Sequence, residues 1–130
     1  MRLAKFKSEC MISKRVIPIL RIFDEQKASE FYIDWLGFKI DWQHRFSEDA
    51  PLYMQVSNAG IVLHLTAHHG DTTPGTRVYL EVEQLKEYHK ELIEKKYTYN
   101  KPGLEESFHG TWCMQVTDPF GNRLTFNEEK

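Results

Sequence analysis

The chain repeats itself at an interval of sixty residues, and that interval limits the folds open to it more than any other feature. Met54-Gln55-Val56 returns as Met114-Gln115-Val116, and Leu20-x-Ile22 returns as Leu80-x-Val82. Each tripeptide lies in a strand-like run that is followed by a turn and a second such run. The first turn is Asn58-Ala59-Gly60; the second is Asp118-Pro119-Phe120-Gly121-Asn122. Proline presets φ and glycine supplies positive φ, so both read as hairpins. Two matches in one register, each with the same sequel, point to two copies of one supersecondary unit.

The first half reads as a strand over Val16 to Ile22 and a helix capped by Asp24 and running to about Leu36. Ala28, Phe31, Trp35 and Leu36 share one face of that helix, and Gly37 ends it. A strand follows over Phe38 to Phe46, with Phe38, Ile40 and Trp42 alternating. The hairpin is Leu52 to Ser57 with Ile61 to Thr66. The second half repeats the order. Its strand is Arg77 to Val82, and its helix Gln84 to Lys96 carries Leu85, Tyr88, Leu92 and Ile93 on the apolar face. A strand over Tyr97 to Lys101 and a hairpin of Trp112 to Thr117 with Arg123 to Asn127 complete it. Each half is β-α-β-β-β. The expected class is α+β, two βαβββ modules forming a curved mixed sheet with helices outside.

With 130 residues the chain has room for one domain with a real core. That domain is expected over 16–128, with half-repeats at about 16–66 and 76–128, and residues 1–15 as an N-terminal arm. The Gly-, Pro- and Thr-rich segment Ala67 to Gly75 is a loop, too short for a flexible tether.

Alternation assigns the strand faces. Val78, Leu80 and Val82 form an apolar set against Arg77, Tyr79 and Glu81. Leu124 and Phe126 alternate with Arg123, Thr125 and Asn127, and Leu52, Met54 and Val56 with Tyr53 and Gln55. One face of each strand needs covering by a helix and the other is polar. A concave polar side would be lined by Tyr53, Gln55, His64, Arg77, Tyr79, Glu81, Gln115, Arg123 and Thr125. The same alternation also fits a sheet side that simply faces solvent.

A net charge of −2 argues against a nucleic-acid partner, which needs a basic face. No apolar run approaches the roughly 18 residues of a membrane helix, and the start MRLAKFKSECMISKR does not read as a signal peptide. Cys10 and Cys113 form no framework and no Cys-x-x-Cys pair, so both read as free thiols of a cytoplasmic protein.

Several motifs together resemble the vicinal oxygen chelate superfamily, which includes glyoxalase I, extradiol dioxygenases and the fosfomycin- and bleomycin-resistance proteins. The carriers are Ile19-Leu20-Arg21-Ile22-Phe23-Asp24, then Phe31-Tyr32 with Trp35-Leu36-Gly37-Phe38, and Asp118-Pro119-Phe120-Gly121-Asn122-Arg123-Leu124. Val62-Leu63-His64-Leu65, His68-His69-Gly70-Asp71 and Pro74-Gly75 make the likeness nearest to the bleomycin-resistance branch. The resemblance spans about residues 16 to 128.

Enzymes of that superfamily hold a divalent metal with four side chains, two per half. The resemblance places those positions at Ile17, His64, Arg77 and Thr125, and the repeat pairs Ile17 with Arg77 and His64 with Thr125. Only His64 has ligand chemistry: Ile17 has no lone pair, Arg77 is a permanent cation, and Thr125 is a poor ligand. A catalytic metal generally needs about three protein ligands. The metal chemistry of the superfamily is therefore not expected, and no catalytic residue and no cofactor are assigned.

Other chemistry is sparse. His64, His68, His69 and Asp71 fall within eight residues, but a strand followed by a loop gives them no common direction. No nucleophile elbow or phosphate loop is present. Cys113 has no activating neighbour, and Glu105 and Glu106 read as loop carboxylates. Trp42, Phe46, Tyr53, Tyr79, Tyr97, Tyr99, Phe108 and Trp112 read mostly as core or cross-strand aromatics, with a few suited to a flat heteroaromatic ligand.

The resemblance implies a metal-free binding protein that forms homodimers and sequesters a glycopeptide antibiotic such as bleomycin, or a similar ligand, between subunits. The competing expectations are a metal-dependent lyase, isomerase or dioxygenase with ligands rearranged around His64, and a structural or regulatory dimer binding an unknown metabolite.

Overall fold

The computed structural model describes residues 10–130; residues 1–9 of the expected arm lie outside the described residues. The elements run β1 (Ile19–Arg21), α1 (Glu25–Ala28) continuing into a π-helical stretch (Ser29–Trp35), β2 (Lys39–His44), β3 (Tyr53–Asn58) and β4 (Ile61–Thr66). The second module follows as β5 (Arg77–Glu81), α2 (Leu85–Glu94), β6 (Glu105–Glu106), β7 (Trp112–Thr117) and β8 (Arg123–Glu128). Each module is a four-stranded mixed sheet, in the orders β1-β4-β3-β2 and β5-β8-β7-β6. In each, the first and last strands pair in parallel and the others antiparallel. The register repeats as well: Gln55 lies opposite His64, and Gln115 opposite Thr125. The α+β architecture of two βαβββ modules with helices outside is the one observed.

The helix of the first module starts where its cap predicts. Asp24 is extended, and its carboxylate accepts from the Lys27 N–H at 3.0 Å. The widened π turns bury Phe31, Tyr32 and Trp35 together, so Tyr32 joins the face expected to hold only Ala28, Phe31, Trp35 and Leu36. At the end, Leu36 N donates to Phe31 O and Phe38 N to Tyr32 O, with Gly37 between them at φ +84°. The remaining carbonyls are capped from elsewhere: Lys95 Nζ reaches Trp35 O at 2.7 Å, and the Tyr88 hydroxyl and the Asn58 amide both donate to Leu36 O.

One continuous core joins the modules. Leu20, Met54, Val56, Leu63 and Leu65 from the first sheet and Met114, Val116, Leu124 and Phe126 from the second pack around the two helices. In α2, Leu85 and Leu92 are buried, whereas Ile93, expected on the same face, is exposed. The Ala59-Gly60 turn has positive φ at both residues, a type I′ turn matched to the strand twist. Along the second hairpin turn, Asp118 Oδ1 accepts from Phe120 N and Asn122 N, both at 2.8 Å.

Three expectations are corrected. The segment Tyr97 to Lys101 is not a strand; the short edge strand is Glu105–Glu106. Lys96 leaves α2 at φ +55°, Tyr97 stacks on Trp35 at 4.8 Å, and the Asn100 amide donates to Thr117 O. Those side-chain tethers replace a backbone ladder. In β2, a bulge between Ile40 and Trp42 breaks the alternation of Phe38, Ile40 and Trp42. Phe38 stays buried, while Trp42 turns to the side of Gln55, its partner in the register. β1 is also shorter than expected, three residues instead of the run from Val16 to Ile22.

Candidate functional site

The open face of the first sheet carries a directed hydrogen-bond chain. The Tyr53 hydroxyl lies 2.7 Å from His64 Nδ1, and His64 Nε2 lies 3.0 Å from Gln55 Oε1. The Gln55 amide donates to Asp41 Oδ2 at 2.9 Å, and the Ser57 hydroxyl donates to Asp41 Oδ1 at 3.0 Å. The carboxylate orients the chain. Asp41 can only accept, so Gln55 turns its NH₂ toward Asp41 and its carbonyl toward His64. His64 therefore carries its proton on Nε2 and accepts the Tyr53 hydroxyl at Nδ1. Burial, reinforced by the charge of Arg15, holds the imidazole below its ordinary pKa. Asp41 is held low by its bonds from Gln55 and Ser57.

Aromatic rings stand over this chain. Trp42 lies nearly parallel to Tyr53, with centroids 6.0 Å apart and planes 8° apart, and meets His64 edge-on at 5.2 Å. Trp42 is 43 % exposed, and Ile19, beside His64 in the register, is 40 % exposed. Farther along, Phe46 meets both His44 and His68 edge-on. Alternation misses Trp42 because the bulge turns it to this face, whereas Asp41, between Ile40 and Trp42, falls on the polar side by alternation itself. A bulge of this kind leaves no mark in the hydrophobic pattern.

The equivalent face of the second sheet is built differently. Arg77 Nε donates to Thr125 Oγ1 at 3.2 Å, and that hydroxyl donates to Gln115 Oε1 at 3.2 Å. Thr125 is buried beneath them. Tyr79, opposite Thr125, is 54 % exposed, and Arg123 lies opposite Arg77. Of the nine residues expected on the polar side, the structure thus gathers Tyr53, Gln55 and His64 into one group and Arg77, Gln115 and Thr125 into another. Tyr79, Glu81 and Arg123 make no side-chain hydrogen bond among the described residues, and none links the two groups. Tyr79 and Glu81 instead line an open groove of about 1330 Å³ that also takes in Ala59, Glu83, Glu128 and Lys130.

The residues present do not fit a superfamily-type metal. Ile17 and Arg77 offer no lone pair, and Thr125 is engaged with Arg77 and Gln115. Both nitrogens of His64 are already bonded. Among the described residues, no three His, Cys, Asp or Glu side chains converge. In the His64–Asp71 stretch, His68 turns toward Phe46, and Asp71 accepts from the Thr66 hydroxyl at 2.7 Å. No described helix is long and apolar enough to cross a membrane.

Many solved structures share this fold, among them the following three. A bleomycin-binding protein complexed with bleomycin is 19 % identical, with a TM-score of 0.68 over 91 % of this chain and 100 % of that one. A bleomycin resistance determinant encoded on transposon Tn5 is 21 % identical, with a TM-score of 0.70 over 91 % and 99 %. TnmS3, an antibiotic binding protein from Streptomyces sp. CB03234, is 20 % identical, with a TM-score of 0.70 over 92 % and 98 %. No curated protein matches the sequence. The family model described as "Glyoxalase superfamily protein" matches residues 4–130. The chain belongs to the glyoxalase superfamily.

Proposed function

We propose that the protein is a cytoplasmic homodimer that sequesters a planar, cationic small molecule, of the bleomycin type or similar to it, without a chemical step. The observation that carries the reading is the aromatic group at Trp42, Tyr53 and His64. It stands on an open sheet face, its Tyr53 and His64 are held by the hydrogen-bond chain that runs through Gln55 to Asp41, and its His64 is the position at which the superfamily resemblance would place a metal ligand. A π surface held rigid in this way suits a flat heteroaromatic ring, at low entropic cost on binding. Tyr79, Arg77 and Glu81 of a second copy would close the cleft, which accounts for the exposure of Ile19, Trp42 and Tyr79 in one chain. Glu81 would meet positive groups on the ligand. Tight binding alone lowers the free concentration of a drug.

The test is a bleomycin titration followed by tryptophan fluorescence and melting temperature. Quenching that disappears in Trp42→Ala, with a rise in Tm that grows with ligand concentration, is the expected result. Unchanged fluorescence and Tm would remove the antibiotic from the proposal.

A further inference from the structure

A second cavity lies in the crevice where the modules meet, next to the open groove at Tyr79 and Glu81. Its volume is about 320 Å³, at the small end of ligand pockets. Phe38, Ile61, Val82, Leu85, Tyr88 and Phe126 line it, drawn from both modules. Phe38, Leu85 and Phe126 are core residues, so the crevice reaches down to the hydrophobic core. Tyr88 is fixed there by its bond to Leu36 O at 2.6 Å, and burial raises its hydroxyl far above the ordinary tyrosine range. It stays a neutral donor.

The charged residues that line the crevice have one sign: Glu83, Glu87 and Glu91 border it. Glu91 meets Lys95 at 3.8 Å, whereas Glu83 and Glu87 form no ion pair among the described residues. Two of the N-terminal amides of α2, the usual seat of an anion, are already taken: Glu128 accepts from Gln84 N and Leu85 N, both at 2.9 Å. An anion would therefore meet the Glu128 carboxylate at that helix end and three more along the rim. An apolar pocket with a carboxylate rim is complementary to an amphipathic cation, its hydrocarbon body inside and its ammonium group at Glu83 and Glu87.

We propose that this inter-module crevice is a separate binding site for a small amphipathic ammonium compound. It uses none of the residues assigned to the antibiotic reading, and the two stand or fall independently.

Three soluble probes of one size decide it: 2-phenylethylammonium, 2-phenylethanol and phenylacetate. Each is titrated into the full ¹⁵N-labelled chain, with amide shifts read by NMR. The ammonium should shift Gly37, Asn58, Ala59, Gln84 and Tyr88. The alcohol should bind about tenfold more weakly, and phenylacetate should leave these amides unmoved. The double variant E83Q/E87Q should lose about tenfold for the ammonium while binding the alcohol as before, which separates lost charge from a damaged fold. Added salt should weaken the ammonium alone. Less than about fivefold between ammonium and alcohol, shifts centred on Trp42 and His64, or no shifts at millimolar ammonium would overturn the site.

Discussion

The Tyr32 hydroxyl donates to Asp118 Oδ2 at 2.6 Å, joining the π-helical stretch of the first module to the hairpin turn of the second. The same oxygen accepts from the Asn122 amide at 2.9 Å, and Asn122 donates on to Arg21 O. Both Tyr32 and Asp118 are buried, and burial raises both of their pKa values, with the four donors around Asp118 working against its rise. This short network ties the modules at one end of their junction, while Tyr88 and Lys95 bond to the end of the first helix at another.

Tyr32→Phe removes the hydroxyl and leaves Asp118 Oδ2 with a single donor. A loss of about 1–3 kcal/mol is expected in urea unfolding, because the carboxylate stays buried with one bond fewer. A change below about 0.5 kcal/mol would mean that water replaces the hydroxyl at no cost.

His64 gives stability a pH dependence whose sign follows from its depressed pKa. As pH falls past the ordinary imidazole value of 6.5, the unfolded chain binds a proton that the folded chain resists. The contribution is complete above the unfolded value and is lost as pH falls toward the folded one. Urea midpoints between neutral and mildly acidic pH should drop more steeply for the native chain than for His64→Phe. Parallel curves would show that burial and the Arg15 charge do not hold the imidazole below its ordinary value.

Gly37→Ala tests the end of the first helix. A Cβ would meet only Asn58 Nδ2 at 3.8 Å and Lys95 Nζ at 3.9 Å, which is ordinary contact, so space is not the obstacle. The cost is backbone, since φ is +84°. About 1–2 kcal/mol of destabilisation is expected by thermal or urea unfolding.

Metal loading separates a binding protein from a rearranged enzyme. After incubation with zinc or nickel and desalting, elemental analysis should find less than one equivalent, and His64→Ala should not alter it. A stoichiometric metal that disappears in His64→Ala would return the protein to the metal-dependent class.

The proposed closing of the cleft by a second copy predicts a solution mass twice that of the chain by light scattering. Trp42→Asp should shift the population to monomer by placing a charge in the contact. A native chain that is monomeric at high concentration would count against the dimer.

The sixty-residue repeat carried the architecture, because a module that recurs in sequence recurs in hydrogen-bond register: Gln55 opposite His64, Gln115 opposite Thr125. Alternation likewise put Met54 and Val56 of β3 and Leu124 and Phe126 of β8 on the core side. Tertiary structure decided what local pattern does not encode. The β2 bulge carried Trp42 onto the polar face beside Asp41, and one inserted residue reverses every later side chain without altering composition. Tyr97 left the expected strand because Trp35, distant in sequence, offered it a stack. The tautomer of His64 depends on Tyr53, Gln55 and Asp41, which converge only when the first sheet forms, and the acid-rimmed crevice on groups drawn from both modules.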